Sequence, residues 1–160
     1  MKALMKKEYG RFLNEIKSRI VSARIQAVRS VNKELIKLYW DIGKSIVERQ
    51  ERFGWGKGIV EQLSCDLTNE YANFKGFSRD NLWRMRMFYL AYKDDAKLAQ
   101  LVPVLPWGHN ILIMQKVKNA KEREYYIKFS INLGWSRNVL LNQIKAGAYA
   151  FSLTSHFITS

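Results

Sequence analysis

Two seven-residue stretches share one pattern. Gly76-Phe77-Ser78-Arg79-Asp80-Asn81-Leu82 and Gly134-Trp135-Ser136-Arg137-Asn138-Val139-Leu140 both read Gly, aromatic, Ser, Arg, Asp or Asn, any residue, Leu. Glycine permits a left-handed turn, the aromatic fastens that turn to a core, and serine caps the helix that starts there. The arginine then falls in the first turn of the new helix. A short glycine-containing turn between two helices is a helix-turn-helix arrangement, in which the start of the second helix meets DNA. The same pattern is also simply a good way to join any two helices, and the sequence leaves both readings open.

The helix after Ser78 favours the first reading. Projected at about 100° per residue, Leu82, Met85, Tyr89 and Tyr92 share one side, expected to face the core. Arg79, Trp83 and Arg86 fall on the other side, flanked by Arg84. Arginine pairs bidentately with phosphate or guanine, and an aromatic among guanidinium groups is unusual on a merely solvated face. Lys75 in the turn and Lys57 near the preceding helix start add candidate phosphate contacts. The second copy carries Arg137 but fewer charges on its helix, and is expected to serve packing. His109, in Leu105-Pro106-Trp107-Gly108-His109-Asn110, either caps a helix or meets a phosphate, with the structural role favoured.

Other chemistries lack their residues. Gly54-x-Gly56-x-Gly58 is no Walker loop, since Lys57 is followed by glycine and no strand precedes it. Asp94-Asp95-Ala96-Lys97 offers Asp-x-Lys without a partner carboxylate on a strand, and reads as a polar helix end. Cys65, His109 and His156 have no usual zinc spacing, and no Ser/His/Asp arrangement is visible. No cofactor, metal or small-molecule substrate is expected. Cys65, between Leu63 and Leu67, reads as a small core hydrophobe.

The bulk composition agrees with a polyanion partner. The 160 residues hold 27 Lys+Arg against 14 Asp+Glu, a formal charge of +13. Such an excess is the footprint of phosphate binding, although an anionic membrane surface or an acidic partner would also attract it. No stretch approaches the ~18 uncharged apolar residues of a membrane span, and Met1-Lys2-Ala3-Leu4 lacks the apolar run of a signal peptide. A lone cysteine makes no internal disulfide, so a reducing, cytoplasmic setting is expected.

The elements that must hold these residues are helices. From residue 8 to 51 there is no proline, and two stripes run at spacings of three and four: Leu13, Ile16, Ile20, Ala23, Ala27, then Val28, Val31, Leu35, Leu38, Ile42, Ile46. The step near Ala27–Val28 marks either a bend between two helices or a stutter in one. The stripe needs a partner, either within the domain or as a dimer seam. Further helices are expected at 59–71, 78–92, 107–118, 120–133 and 136–146, with an extended or irregular segment over 98–105. No convincing period-2 strand is present.

These motifs together resemble one family. Leu38-Tyr39-Trp40-Asp41-Ile42-Gly43, Gly54-Trp55-Gly56, Leu63-Ser64-x-Asp66-Leu67, the two Gly-aromatic-Ser-Arg stretches and Leu105-Pro106-Trp107-x-His109 are similar to the N-terminal domain of the bacterial YhcG-like PD-(D/E)xK nucleases, long regarded as a domain of unknown function. The resemblance runs from about Tyr9 to Gly147. Gly108 stands where the family usually has Ser. The resemblance implies a helical, helix-turn-helix-like DNA-binding module, followed in full-length relatives by a nuclease domain. Nothing after Gly147 supplies that domain's Asp and Glu-x-Lys set, so the chain is expected to lack nuclease chemistry.

The expected architecture is all-α. It has a long N-terminal helical segment (1–52), continuous or a hairpin, and a bundle (53–147) with a helix-turn-helix-like unit at 59–92. A tail (148–160) without clear period, disordered or not, completes it. The expected function is duplex-DNA binding. The alternative is a helical dimerisation or protein-interaction module whose basic face is incidental, and the N-terminal helices suit a homodimer in either case.

Overall fold

A computed structural model describes the backbone of residues 2–159 and the side chains of residues 2–154. Every regular element among them is helical: α1 (Lys2–Phe53), α2 (Gly58–Glu70), α3 (Arg79–Tyr92), α4 (Ala96–Leu101), α5 (Trp107–Lys116), α6 (Ala120–Leu133), α7 (Arg137–Lys145) and α8 (Ala148–Thr159), with 3-10 turns at Lys75–Phe77 and Val102–Val104. The all-α expectation holds. The N-terminal segment is one helix, not a hairpin, and the Ala27–Val28 step is absorbed within it.

Local sequence sets most boundaries. The Ser78 hydroxyl accepts from the Asn81 N–H at 3.2 Å, and Ser136 does the same for Val139 at 3.2 Å. Asn119 caps α6 through the N–H groups of Lys121 and Glu122. Gly134 ends α6 at φ +63°, a left-handed conformation that only glycine adopts without strain. One expectation fails. The segment 98–105 is not extended: Asp95 accepts from the Leu98 N–H and starts the short helix α4, which Pro103 then tightens into a 3-10 turn. The tail over 148–159 is helical, and the Tyr149 N–H donates to the buried Tyr126 hydroxyl at 3.2 Å.

The core lies in two apolar clusters flanking α3. One gathers Tyr39, Ile46, Val60, Phe77, Leu82 and Met85 between α1, α2 and α3. The larger gathers Ile36, Phe88, Tyr92, Leu98, Ile113, Ile127 and Leu140 with α4 to α7. The buried side of α3 is therefore wide. It takes in Asn81 and Phe88 as well as Leu82, Met85 and Tyr92, whereas Tyr89, expected inside, is half-buried. Only the second half of α1 joins the bundle, from Asn32 onward, whose side-chain amide donates to the Leu105 carbonyl at 3.0 Å.

The Lys97 and Lys128 ammonium groups each lie 2.6 Å from Glu124 Oε1, joining α4 to α6. Hydrogen bonds from Lys128 and then Lys97 hold the Glu124 carboxyl at about 2. A depressed carboxylate contributes stability that is present above its ordinary value and lost as pH falls through the folded value. Glu124→Gln should therefore flatten the pH dependence of Tm between about pH 5 and 2; an unchanged slope would contradict this linkage.

The crossing of α1 over α3 has no room for a side chain at Gly43. A Cβ there would collide with the Met85 carbonyl. Alanine would gain about 0.5–1 kcal/mol of helix propensity but lose about 1–3 kcal/mol to overpacking against unyielding backbone. Gly43→Ala should thus lower stability by urea denaturation, and an increase would show that the helices separate freely.

Candidate nucleic-acid interface

The two Gly-aromatic-Ser-Arg stretches are brought together by the turn that starts α5. Trp107, the first residue of α5, donates from its indole Nε1 to Asn81 Oδ1 at 2.8 Å, in the first stretch. His109, two residues on, faces the Trp135 carbonyl of the second stretch through Nε2 at 2.7 Å. A carbonyl only accepts, so Nε2 carries the proton. Between them, a Cβ on Gly108 would rest 3.5 Å from Cδ of Arg137. The amino ends of α3, α5 and α7 are thereby gathered at one corner, where their unpaired N–H groups favour anions.

Asn81 organises the first stretch. Its amide donates to the Gly76 carbonyl at 2.6 Å while accepting from Trp107. Tyr39 also meets it: burial pushes the Tyr39 hydroxyl above the usual tyrosine value, and the hydrogen bond to Asn81 draws it part of the way back. Gly76 has no left-handed backbone, unlike Gly134. Glycine is needed at 76 for space, because a Cβ would collide with the Phe74 ring and the Tyr39 hydroxyl. The likeness between the stretches is real in the serine cap and different in the turn.

The expected site residues of the first stretch and its helix engage different neighbours. Arg79 is exposed and pairs with Glu61 of α2 at 3.0 Å. Arg86 lies against α1, donating from Nε to Gln50 at 2.7 Å with its guanidinium 5.4 Å from the Trp83 ring. Trp83 itself packs on the cluster between α1 and α2. Arg84 is half-buried and forms no ion pair among the described residues. Lys57 precedes α2, while Lys75 follows it in the 3-10 turn Lys75–Phe77. Cys65, expected in the core, is exposed on α2. The leucines two positions either side of it point elsewhere, since positions two apart on a helix lie about 200° apart. His156 lies outside the residues with described side chains.

The second stretch, expected to serve packing alone, holds the more open surface. The connection Gly134-Trp135-Ser136 is three residues long, whereas eight residues separate α2 from α3. On α7, Leu140 is buried, while Arg137, Asn138, Asn142 and Lys145 are exposed. Asn138, Asn142 and Lys145 recur at spacings of four and three along one stripe, with Arg137 at its flank. No Asp or Glu occurs after Glu124 in the sequence. Asparagine rather than a count of cations is what distinguishes α7.

The family described as the DUF1016 N-terminal domain matches residues 15–150. This chain belongs to that family. It is 32% identical, over 168 aligned positions, to an Escherichia coli (strain K12) protein named "Putative nuclease YhcG". The alignment covers 84% of the chain but 44% of that relative, so the chain spans less than half the length of the protein it matches. No solved structure matches. Among the described residues no three His, Cys, Asp or Glu side chains gather to hold a metal, and no helix is long and apolar enough to cross a membrane.

Trp107→Phe keeps an aromatic ring and removes the indole donor, leaving Asn81 Oδ1 with one partner fewer. The expected cost is about 1–3 kcal/mol in urea denaturation. No change would mean that the bridge between the two stretches carries no stability.

Proposed function

We propose that this chain is a duplex-DNA-binding module whose helix-turn-helix is formed by α6, the turn Gly134–Ser136 and α7. The observation that carries the reading is the exposed stripe on α7. Asparagine reads adenine by a bidentate pair, and Arg or Lys reads guanine or holds phosphate. Arg137 sits at an amino end gathered with those of α3 and α5, where backbone N–H groups add attraction for a phosphate. The charge of +13 supplies the long-range field. Arg79, at the start of α3, is a further candidate phosphate contact. The Arg79–Glu61 pair is solvent-exposed and worth little, so the guanidinium can exchange it for a phosphate.

The alternative of self-association has its own support in the exposed face of α1, and the two roles are compatible. The relative's name brings nuclease biology into view, and the targeting of such chemistry to DNA is the role this domain suits. The chain alone should not cleave plasmid DNA with Mg²⁺ or Mn²⁺; cleavage that tracks a substitution within residues 1–160 would overturn this.

Fluorescence anisotropy with a labelled duplex at two salt concentrations tests the reading. Affinity should fall steeply with salt. A combined Asn138→Ala, Asn142→Ala, Lys145→Ala variant should bind more weakly, by about 1–3 kcal/mol for each lost base contact. Arg79→Ala with Arg84→Ala and Arg86→Ala should cost less binding and more stability. The reverse ranking would return the reading role to α3, and absence of binding at low salt would end the proposal.

A further inference from the structure

The first 30 residues of α1 are almost all exposed among the described residues, yet they are not polar. Met5 is 68% exposed, Tyr9 62%, Val28 69% and Val31 69%, with Phe12, Leu13 and Ile20 beside them. An isolated helix in water rarely persists without tertiary packing of its apolar face, and a contiguous exposed apolar surface marks an interface. The same stripe continues down α1 into the bundle. There Leu38, Ile42 and Ile46 form one wall of an open groove of about 880 Å³, and Ile59, Leu63 and Leu67 of α2 form the other. Trp55, Tyr71, Phe74 and Phe77 close it. Because α1 is unbroken, its arm cannot fold back into its own groove.

We propose that this groove is filled by the α1 arm of a second copy, running antiparallel. Two observations select that occupant. The first is register. With a two-fold axis between Ile25 and Gln26, Met5, Tyr9, Leu13 and Ile20 of one copy fall opposite Ile46, Ile42, Leu38 and Val31 of the other. An isologous contact requires this self-complementarity, and a single axis satisfies all four pairs. The second is charge. Residues 2–31 carry eight Lys or Arg against two Glu, while the charged side chains that line the groove are Asp41 and Asp66 against Arg49. In a chain of net +13 the groove thus carries more carboxylates than cations, and the segment that would enter it is strongly basic. An apolar groove edged by Asp41 and Asp66 is unsuited to DNA, so this inference stands apart from the DNA reading. Tyr9 and Phe12 supply aromatic anchors of the kind that fill apolar grooves.

The test replaces Phe12 by p-benzoylphenylalanine in the full chain and irradiates it at tens of micromolar, with sedimentation equilibrium on the wild-type chain alongside. The expected mass is twice 18.8 kDa. Cross-links should join position 12 to residues 59–77 of the other copy. Tyr9→Glu with Leu13→Glu, and separately Leu38→Glu on the groove wall, should each halve the mass while leaving the helical circular-dichroism signal of the bundle. A wild-type monomer overturns the proposal. So do cross-links from position 12 to the neighbourhood of position 12 in the other copy, which mark a parallel seam, and cross-links only to added duplex.

Discussion

The close crossing of α1 and α3 is the contact on which the rest depends. At Gly43 the two backbones approach until only a hydrogen fits between them. That approach brings Tyr39 within 4.9 Å of the Trp107 ring and sets Trp40 edge-on to Phe88 and Tyr89. Trp107 in turn lies 5.2 Å from Phe88 and belongs to both apolar clusters. A wider crossing would part Tyr39 from Asn81, loosen the indole that fixes the start of α5, and free His109 from the Gly134 turn. The corner where three helices begin is thus fixed from the far side of the bundle.

A chain of polar tethers carries that constraint outward. Asn32 holds the Leu105 carbonyl, Asn110 holds the Val102 carbonyl at 2.9 Å from inside the core, and Asn81 links Gly76 to Trp107. Each is an amide that donates to carbonyls at a helix end or 3-10 turn. Arg123 performs the same task at the end of α5, donating to the Val117 carbonyl at 2.7 Å. Side-chain amides of Asn32 and Asn110 thus tie the carbonyls of Val102, Leu105 and Pro106.

Local chemistry made much of this legible. Ser78, Ser136, Asn119 and Gly134 announce helix boundaries because caps act over three or four residues and obey the same rules everywhere. What failed depended on distant neighbours. Tyr89 and Phe88 differ by one position, and which one is buried is decided by α1 and α5 together. The Arg79–Glu61 and Arg86–Gln50 contacts join residues 18 and 36 positions apart, beyond any periodic pattern. The short helix α4 is six residues long, too short for an apolar period to mark it, although the Asp95–Leu98 cap starts it. The groove was half visible: the α1 stripe could be traced, but its second wall on α2 appears only when the helices are packed.

Chemical-shift mapping tests the central claim most directly. Titrating ¹⁵N-labelled chain with a short duplex should perturb backbone amides over residues 135–145 and 107–109, leaving α2 and the arm of α1 nearly unchanged. Perturbations confined to α3, or spread thinly over every lysine of the surface, would contradict a reading helix at α7.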